Sequence, residues 1–165
     1  MHKKEEVPFI INQKLYFDNR GFFQELYLNK NIKFNCKFTA FSTSKKNVIR
    51  GLHYQIKKPQ SKILGLLLGR ALDICVNINI NSKNFGKVFK FILEPGKILY
   101  VPKTYAHGIG FYGEKNILLY HLSEYRYVKY ERGIRYNDTK LGIKWNIKNP
   151  ILSKKDQNHP SIDSI

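Results

Sequence analysis

Acidic residues are scarce in this sequence: 12 Asp and Glu stand against 29 Lys and Arg, giving a formal net charge of +17. Cysteine is almost missing too, with only Cys36 and Cys75 in 165 residues. Two cysteines do not make a disulfide scaffold, so a reduced, cytoplasmic setting is expected. No apolar run reaches the roughly 18 residues that a membrane-spanning helix requires, so no membrane partner is expected. The opening MHKKEEVPF has no apolar stretch behind its lysines, which argues against a secretory signal. Long basic blocks are missing as well. The lysine pairs at 3–4, 45–46, 57–58 and 154–155 are scattered, and the richness in Ile, Asn, Lys, Phe and Tyr is what AT-rich coding would produce. Scattered charge speaks to solubility and non-specific attraction, and no nucleic-acid partner is expected from it.

What the chain has is apolar and aromatic. A hydrophobic fraction of 42% with 14% aromatics excludes a disordered tail protein. The length suits one domain, residues 1–165, with ample material for one core. From Leu72 to Ile80 the run LDICVNINI alternates, sending Leu72, Ile74, Val76, Ile78 and Ile80 to one face and Asp73, Cys75, Asn77 and Asn79 to the other. Further strands are expected at 87–93, 97–102, 109–112 and 116–122, separated by turns at Gly69, Asn81–Ser82, Pro95–Gly96 and Gly113. With no helical period between 34 and 125, the expected fold is all-β, an antiparallel sandwich or barrel. The tail from about 139 reads as loops with a short helix after Ser153. A polar strand face in such a barrel lies in solvent or lines a concave pocket.

Two segments favour the pocket. RGLHYQ (50–55) gathers Arg50, His53 and Gln55, and VPKTYAHGIGF (101–111) sets His107 between the small Ala106 and Gly108. Small neighbours allow close approach of a ligand or a second strand. Metal-binding barrels of the cupin kind supply a His-x-His pair with a Glu and a later His. Here position 55 is Gln55, so the pair is missing and no metal is expected.

YFDNRGFFQELY (16–27), RGLHYQ, QSKILGLLLG (60–69), LDICVNI (72–78), VPKTYAHG (101–108), ILLYHLSEY (117–125), ERGIRYND (131–138) and ILSKKD (151–156) follow one another in an informative order. In that order and approximate spacing, over nearly the whole chain, the sequence resembles the nucleotide-sugar 3,5-epimerases typified by dTDP-4-dehydrorhamnose 3,5-epimerase. The resemblance implies a cupin-like jelly roll without metal or NAD, commonly a homodimer, acting as an isomerase on a nucleoside-diphosphate-linked 4-keto-6-deoxy sugar. In that chemistry the C4 ketone acidifies the C3 and C5 protons. A base on one face and an acid on the other invert the centre through an enolate, with a cation near the oxyanion.

Carried over by motif, the resemblance makes His53 the base, Tyr120 the opposing acid and Lys62 the group facing the enolate oxygen. Asp73 is a polar support, and Asp156 pairs with His53. Asp138 is the alternative partner, because the segment 139–155 is about one residue shorter than usual. Arg20 and Glu25 match nucleotide and phosphate contacts, and Arg50, Gln55, His107, Glu131 and Lys155 match further substrate contacts. The chain departs from the family where Phe38 and Ala40 replace a Gln and an Asn, where Asn77 and Asn79 replace an Asp and an Arg, and where Thr104 replaces a Gly. These changes leave open a GDP-linked or heptose substrate and inversion at a single carbon. A non-catalytic sugar-nucleotide-binding barrel and a ketoisomerase are the rival readings.

Overall fold

A computed structural model describes residues 5–26 and 32–165. Twelve strands appear among them: β1 (Phe9–Asn12), β2 (Leu15–Asp18), β3 (Gly21–Gln24), β4 (Phe38–Lys45), β5 (Ile49–Gln55), β6 (Lys62–Leu68), β7 (Ala71–Asn77), β8 (Val88–Leu93), β9 (Lys97–Val101), β10 (Tyr105–Phe111), β11 (Lys115–Leu122) and β12 (Glu131–Gly133). One short helix, α1 (Lys154–Gln157), follows near the C-terminus, capped by the Ser153 hydroxyl, which accepts from the Asp156 amide. No helix of the described residues is long and apolar enough to cross a membrane.

Two five-stranded antiparallel sheets face each other as a jelly roll, in the orders β1-β9-β6-β11-β4 and β12-β5-β10-β7-β8, and β2 with β3 forms a separate hairpin. The expected all-β antiparallel barrel is therefore what the chain forms. The strand expected over 72–80 is shorter, stopping at Asn77. There the Asn77 side-chain carbonyl accepts the Asn79 amide at 2.9 Å, an Asx turn that competes with continued pairing. The strand expected over 109–112 begins earlier, at Tyr105, and takes in the whole AHG segment.

Both faces of β7 are buried, for different reasons. Its Cys75 side joins Leu64, Leu66, Leu99, Val101, Phe111 and Leu118 between the sheets. Its Leu72, Ile74 and Val76 side points outward, where Ile134, Trp145 and Ile162 of the C-terminal tail cover it. The alternation thus reads correctly, but the apolar face is the outer one and the polar face is the inner one.

Trp145 anchors this cover. Its indole donates to the Tyr136 carbonyl at 2.7 Å, and its ring lies against Gly108 and Gly110, where a Cβ would approach it to 3.3 and 3.0 Å. Replacing a buried Trp by Ala costs about 3–5 kcal/mol. Trp145→Ala is expected to lower the unfolding free energy from denaturant titration by that amount, with the midpoint falling accordingly, and an unchanged midpoint would show that the tail does not seal the sheet.

Candidate active site

Strand alternation alone would put Arg50 and His53 on opposite faces of β5. Both nevertheless line one cavity of about 320 Å³ between the sheets. The pairing of β5 with β10 is in register at His53 with His107 and shifts by Ile109 with Arg50, which restores both side chains to the inner face. Gly51 sits at this shift with φ +121°, where a Cβ would lie 2.5 Å from the Gly108 Cα. No larger residue fits, so Gly51 and Gly108 are the backbone requirement for Arg50 and His53 to share the cavity.

The opposite sheet supplies the facing wall. Lys62 begins β6 and Tyr120 lies on β11, and both line the same cavity. The Tyr120 hydroxyl meets the Ser42 hydroxyl at 3.2 Å. Burial raises Tyr120 above the ordinary phenol range, so the group stays protonated at neutral pH. Lys62 is buried, and burial lowers its ammonium from the usual value, with Cys75, Asp73 and Glu131 opposing. Among the described residues no carboxylate lies within ion-pair distance of it. It is a poorly solvated cation facing a cavity, which is how a protein prepares to receive an anion.

At the base, His107 Nε2 and Asp73 Oδ2 are 2.7 Å apart, both buried. Burial lowers His107 despite the Asp73 charge, which favours a neutral ring. Asp73 itself does not line the cavity; it backs His107 and accepts a weak contact from the Cys75 thiol at 3.6 Å. Nearer the mouth, His53 Nε2 lies 2.5 Å from Asp156 Oδ1. Burial would raise Asp156, but the His53 hydrogen bond and charge outweigh it, and the carboxyl is held below its ordinary value.

The rim carries Glu131, bound by the Arg126 guanidinium and by Lys155 Nζ at 2.8 Å. The Arg126 bond, working against burial and helped by Lys155, holds Glu131 down at about 2. Arg50 is fixed by Ser44 Oγ and the Thr43 carbonyl, each at 3.0 Å. Arg50, Lys62, Arg126 and Lys155 thus outnumber Glu131 and Asp156 around the cavity, an excess that suits an anionic ligand.

Nine of the twelve residues singled out from the sequence line this cavity: Arg50, His53, Gln55, Lys62, His107, Tyr120, Glu131, Lys155 and Asp156. Gln55 spends its side chain on structure, donating to the Lys58 and Tyr125 carbonyls and accepting the Tyr127 amide. Arg20 and Glu25 are exposed at the β2–β3 hairpin and do not line it; Arg20 pairs with Asp18 at 2.6 Å. The alternative partner for His53 is corrected. Asp138 instead accepts from Lys140 N, Ser161 Oγ and Ile162 N, pinning the tail. Sequence reasoning missed Ser42 and Arg126. Ser42 was accessible from the alternation of Phe38, Ala40, Ser42 and Ser44 along one face of β4.

A family model described as dTDP-4-dehydrorhamnose 3,5-epimerase matches residues 5–164. The chain belongs to the dTDP-4-dehydrorhamnose 3,5-epimerase family. A relative of that name from Shigella flexneri is 33% identical over 166 residues, covering 94% of this chain and 92% of its own. The crystal structure of dTDP-6-deoxy-D-glucose-3,5-epimerase from Legionella pneumophila, in complex with dTDP-4-keto-L-rhamnose, superposes with a TM-score of 0.92 at 31% identity, covering 99% of this chain and 92% of that one. That of dTDP-4-dehydrorhamnose 3,5-epimerase from Bacillus anthracis, with TDP and PPi bound, gives 0.88 at 31% identity, with 93% of each chain covered. Membership makes this an isomerase-family chain.

Asp156 and Asp138 should separate cleanly on mutation. Asp156→Asn is expected to lower kcat on the order of a hundredfold with little change in melting temperature. Asp138→Ala should cost about 1–3 kcal/mol of stability through its lost amide and hydroxyl partners, with kcat retained in the folded protein. The opposite pattern would reassign the partner of His53.

Proposed function

We propose that this protein epimerises dTDP-4-keto-6-deoxy-D-glucose at C3 and C5 through enolate intermediates. The observation that carries this reading is the division of labour across the cavity. His53, backed by Asp156, stands on one sheet, while Tyr120 and Lys62 stand on the other. His53 removes the proton alpha to the C4 ketone, and the electron pair moves onto the ketone oxygen, where the Lys62 ammonium offsets the charge. Tyr120 then returns a proton to the opposite face of the carbon, the enolate collapses to the ketone, and the centre is inverted. Reprotonation of the tyrosinate from solvent and loss of the His53 proton complete the cycle. The substrate's own ketone supplies the acidity, so the proposed chemistry calls for no NAD and no metal. Among the described residues one trio, His53, Asp156 and His159, brings metal-type donor atoms within 4.8 Å, and in this reading His53 and Asp156 are engaged with each other.

The nucleotide follows from the relatives, whose structures hold dTDP-4-keto-L-rhamnose and TDP. Arg50, Arg126 and Lys155 at the mouth are the cations available to a diphosphate. The reading is tested by incubation with dTDP-, GDP-, CDP- and UDP-linked 4-keto sugars, following product by NMR. Conversion of the dTDP substrate, lost in His53→Ala and lowered by a factor on the order of a thousand in Lys62→Met, is the expected result. No conversion of any of them would point to a sugar-nucleotide-binding barrel instead.

We further infer a homodimer. The β2–β3 hairpin holds Phe17 at 73% exposure and Phe23 at 64%, alongside Tyr16 and Phe22, with Phe41 on the outward side of β4 at 69%. Exposed aromatic clusters of this size mark association surfaces. The hairpin also carries Arg20 and Glu25, which have no place in their own chain's cavity. A second copy gives both features a use, one covering the aromatics and the other receiving the two polar groups. Sedimentation at twice the 19.4 kDa chain mass is expected, with Phe17→Asp/Phe23→Asp sedimenting as a monomer of reduced kcat/KM. A wild-type monomer of full activity would contradict this.

A further inference from the structure

Asp156 has two imidazoles on one oxygen. His53 Nε2 meets its Oδ1 at 2.5 Å from the cavity side, and His159 Nε2 lies 3.3 Å from the same atom on the far side. The two rings stand edge to face, 5.5 Å between centroids and 79° apart. They differ sharply in access. His53 is 40% exposed at its side chain, whereas His159 is 8% exposed. His159 does not line the cavity proposed to hold substrate. It faces a separate hollow beyond Asp156, bounded by Tyr54, Pro160 and the chain end at Ile165.

The ring is locked there by backbone. It lies over Gly133, where a Cβ would come within 2.3 Å of Nε2, and Gly133 is the cross-strand partner of His53. One glycine therefore lets β12 pair beside His53 and lets His159 reach under it. The buried Nε2 has no formed hydrogen bond among the described residues, and Asp156 Oδ1 is the acceptor at hand. A buried polar nitrogen left without a partner is costly, so the short closure onto Asp156 is favoured.

We propose that His159 is a positioning residue for the His53–Asp156 pair, donating Nε2–H to the carboxylate and sharing its charge between two rings. This rests on the epimerase reading above. The charged and titratable groups around His159 are His53 on β5, Glu131 and Arg132 on β12, and Lys154, Lys155 and Asp156 on α1. Burial lowers His159, as do His53 and Lys155, against the opposing pull of Asp156. The ring is thus neutral at neutral pH, with one N–H to give. A carboxylate that accepts from two donors stabilises each partner's charge less than one that accepts from a single donor. Without His159, the Asp156 charge falls wholly on His53, and the imidazolium of His53 becomes easier to form.

His53 must be unprotonated to act as base, so a more stable imidazolium moves the acidic limb of kcat/KM to higher pH. His159→Phe keeps a ring over Gly133 and removes the donor; His159→Gln supplies a donor again. On dTDP-4-keto-6-deoxyglucose, the Phe variant should show its acidic limb raised by about half a pH unit or more, roughly threefold in proton affinity, with KM unchanged. The Gln variant should fall back toward wild type. A folded Phe variant with the wild-type limb would overturn the proposal, since a purely packing role predicts that outcome.

A measurement on the unmutated protein covers the case in which Phe fails to fold. Long-range proton–nitrogen NMR of the wild type should find His159 protonated at Nε2 and bare at Nδ1; the reverse tautomer would overturn the proposal. Wild-type inactivity on every 4-keto sugar would instead count against the epimerase reading, and the tautomer would still decide the bond to Asp156.

Discussion

Asp156 reaches His53 only because the C-terminal tail is bound to the outside of the second sheet. Trp145, Ile134 and Ile162 cover the outer face of β5, β7 and β10, and Asp138 pins the last turn through Ser161 and Ile162. The same packing that hides apolar strand residues from water brings α1 to the cavity mouth. Ser153 caps that helix, and its third residue is Asp156. Burial of the sheet and assembly of the His53–Asp156 pair are therefore one event, driven chiefly by the hydrophobic effect. The pair needs this support because a carboxylate buried beside an imidazole is stable only when its other oxygen positions and its approach are fixed.

Inside the barrel the polar groups are arranged by sheet. The sheet with β5 and β10 offers the imidazoles, His53 at the mouth and His107 against Asp73 at the base. The sheet with β6 and β11 offers the ammonium of Lys62 and the phenol of Tyr120. A planar enolate lying between two such walls would meet a base on one face and an acid on the other, which is the geometric requirement for inversion as opposed to simple exchange. Burial favours that division: it keeps Tyr120 protonated and His107 neutral, and leaves Lys62 as a weakly solvated cation.

Much of this was legible in the chain itself. The alternation around Asp73 and the turn residues at Gly69 and Gly96 foretold short antiparallel strands, and both glycines adopt positive φ at those turns. The motif order pointed to the residues that meet in the cavity. Period-two reasoning could not foresee that Arg50 and His53, three apart, share a face, because the register shift at Gly51 is set by the neighbouring strand. It also could not choose between Asp156 and Asp138, which differ only in where the tail docks. His159 gave no signal: a histidine before a proline near a chain end reads as a loop residue until the ring is seen against Asp156.

The net charge of +17 is spread over the chain and is only partly gathered at the cavity. Four cations line the cavity, an excess that suits an anionic ligand, and the other basic residues give the chain a positive field able to attract one over longer range. In the proposed mechanism, proton removal and proton return occur from opposite walls. Tyr120→Phe incubated with dTDP-4-keto-6-deoxyglucose in D2O tests it most directly, with deuterium located by NMR in recovered sugar and product. Deuterium should enter at C3 or C5 while inversion is strongly slowed. Inversion at the wild-type rate, or no deuterium even with the wild-type protein, would contradict it.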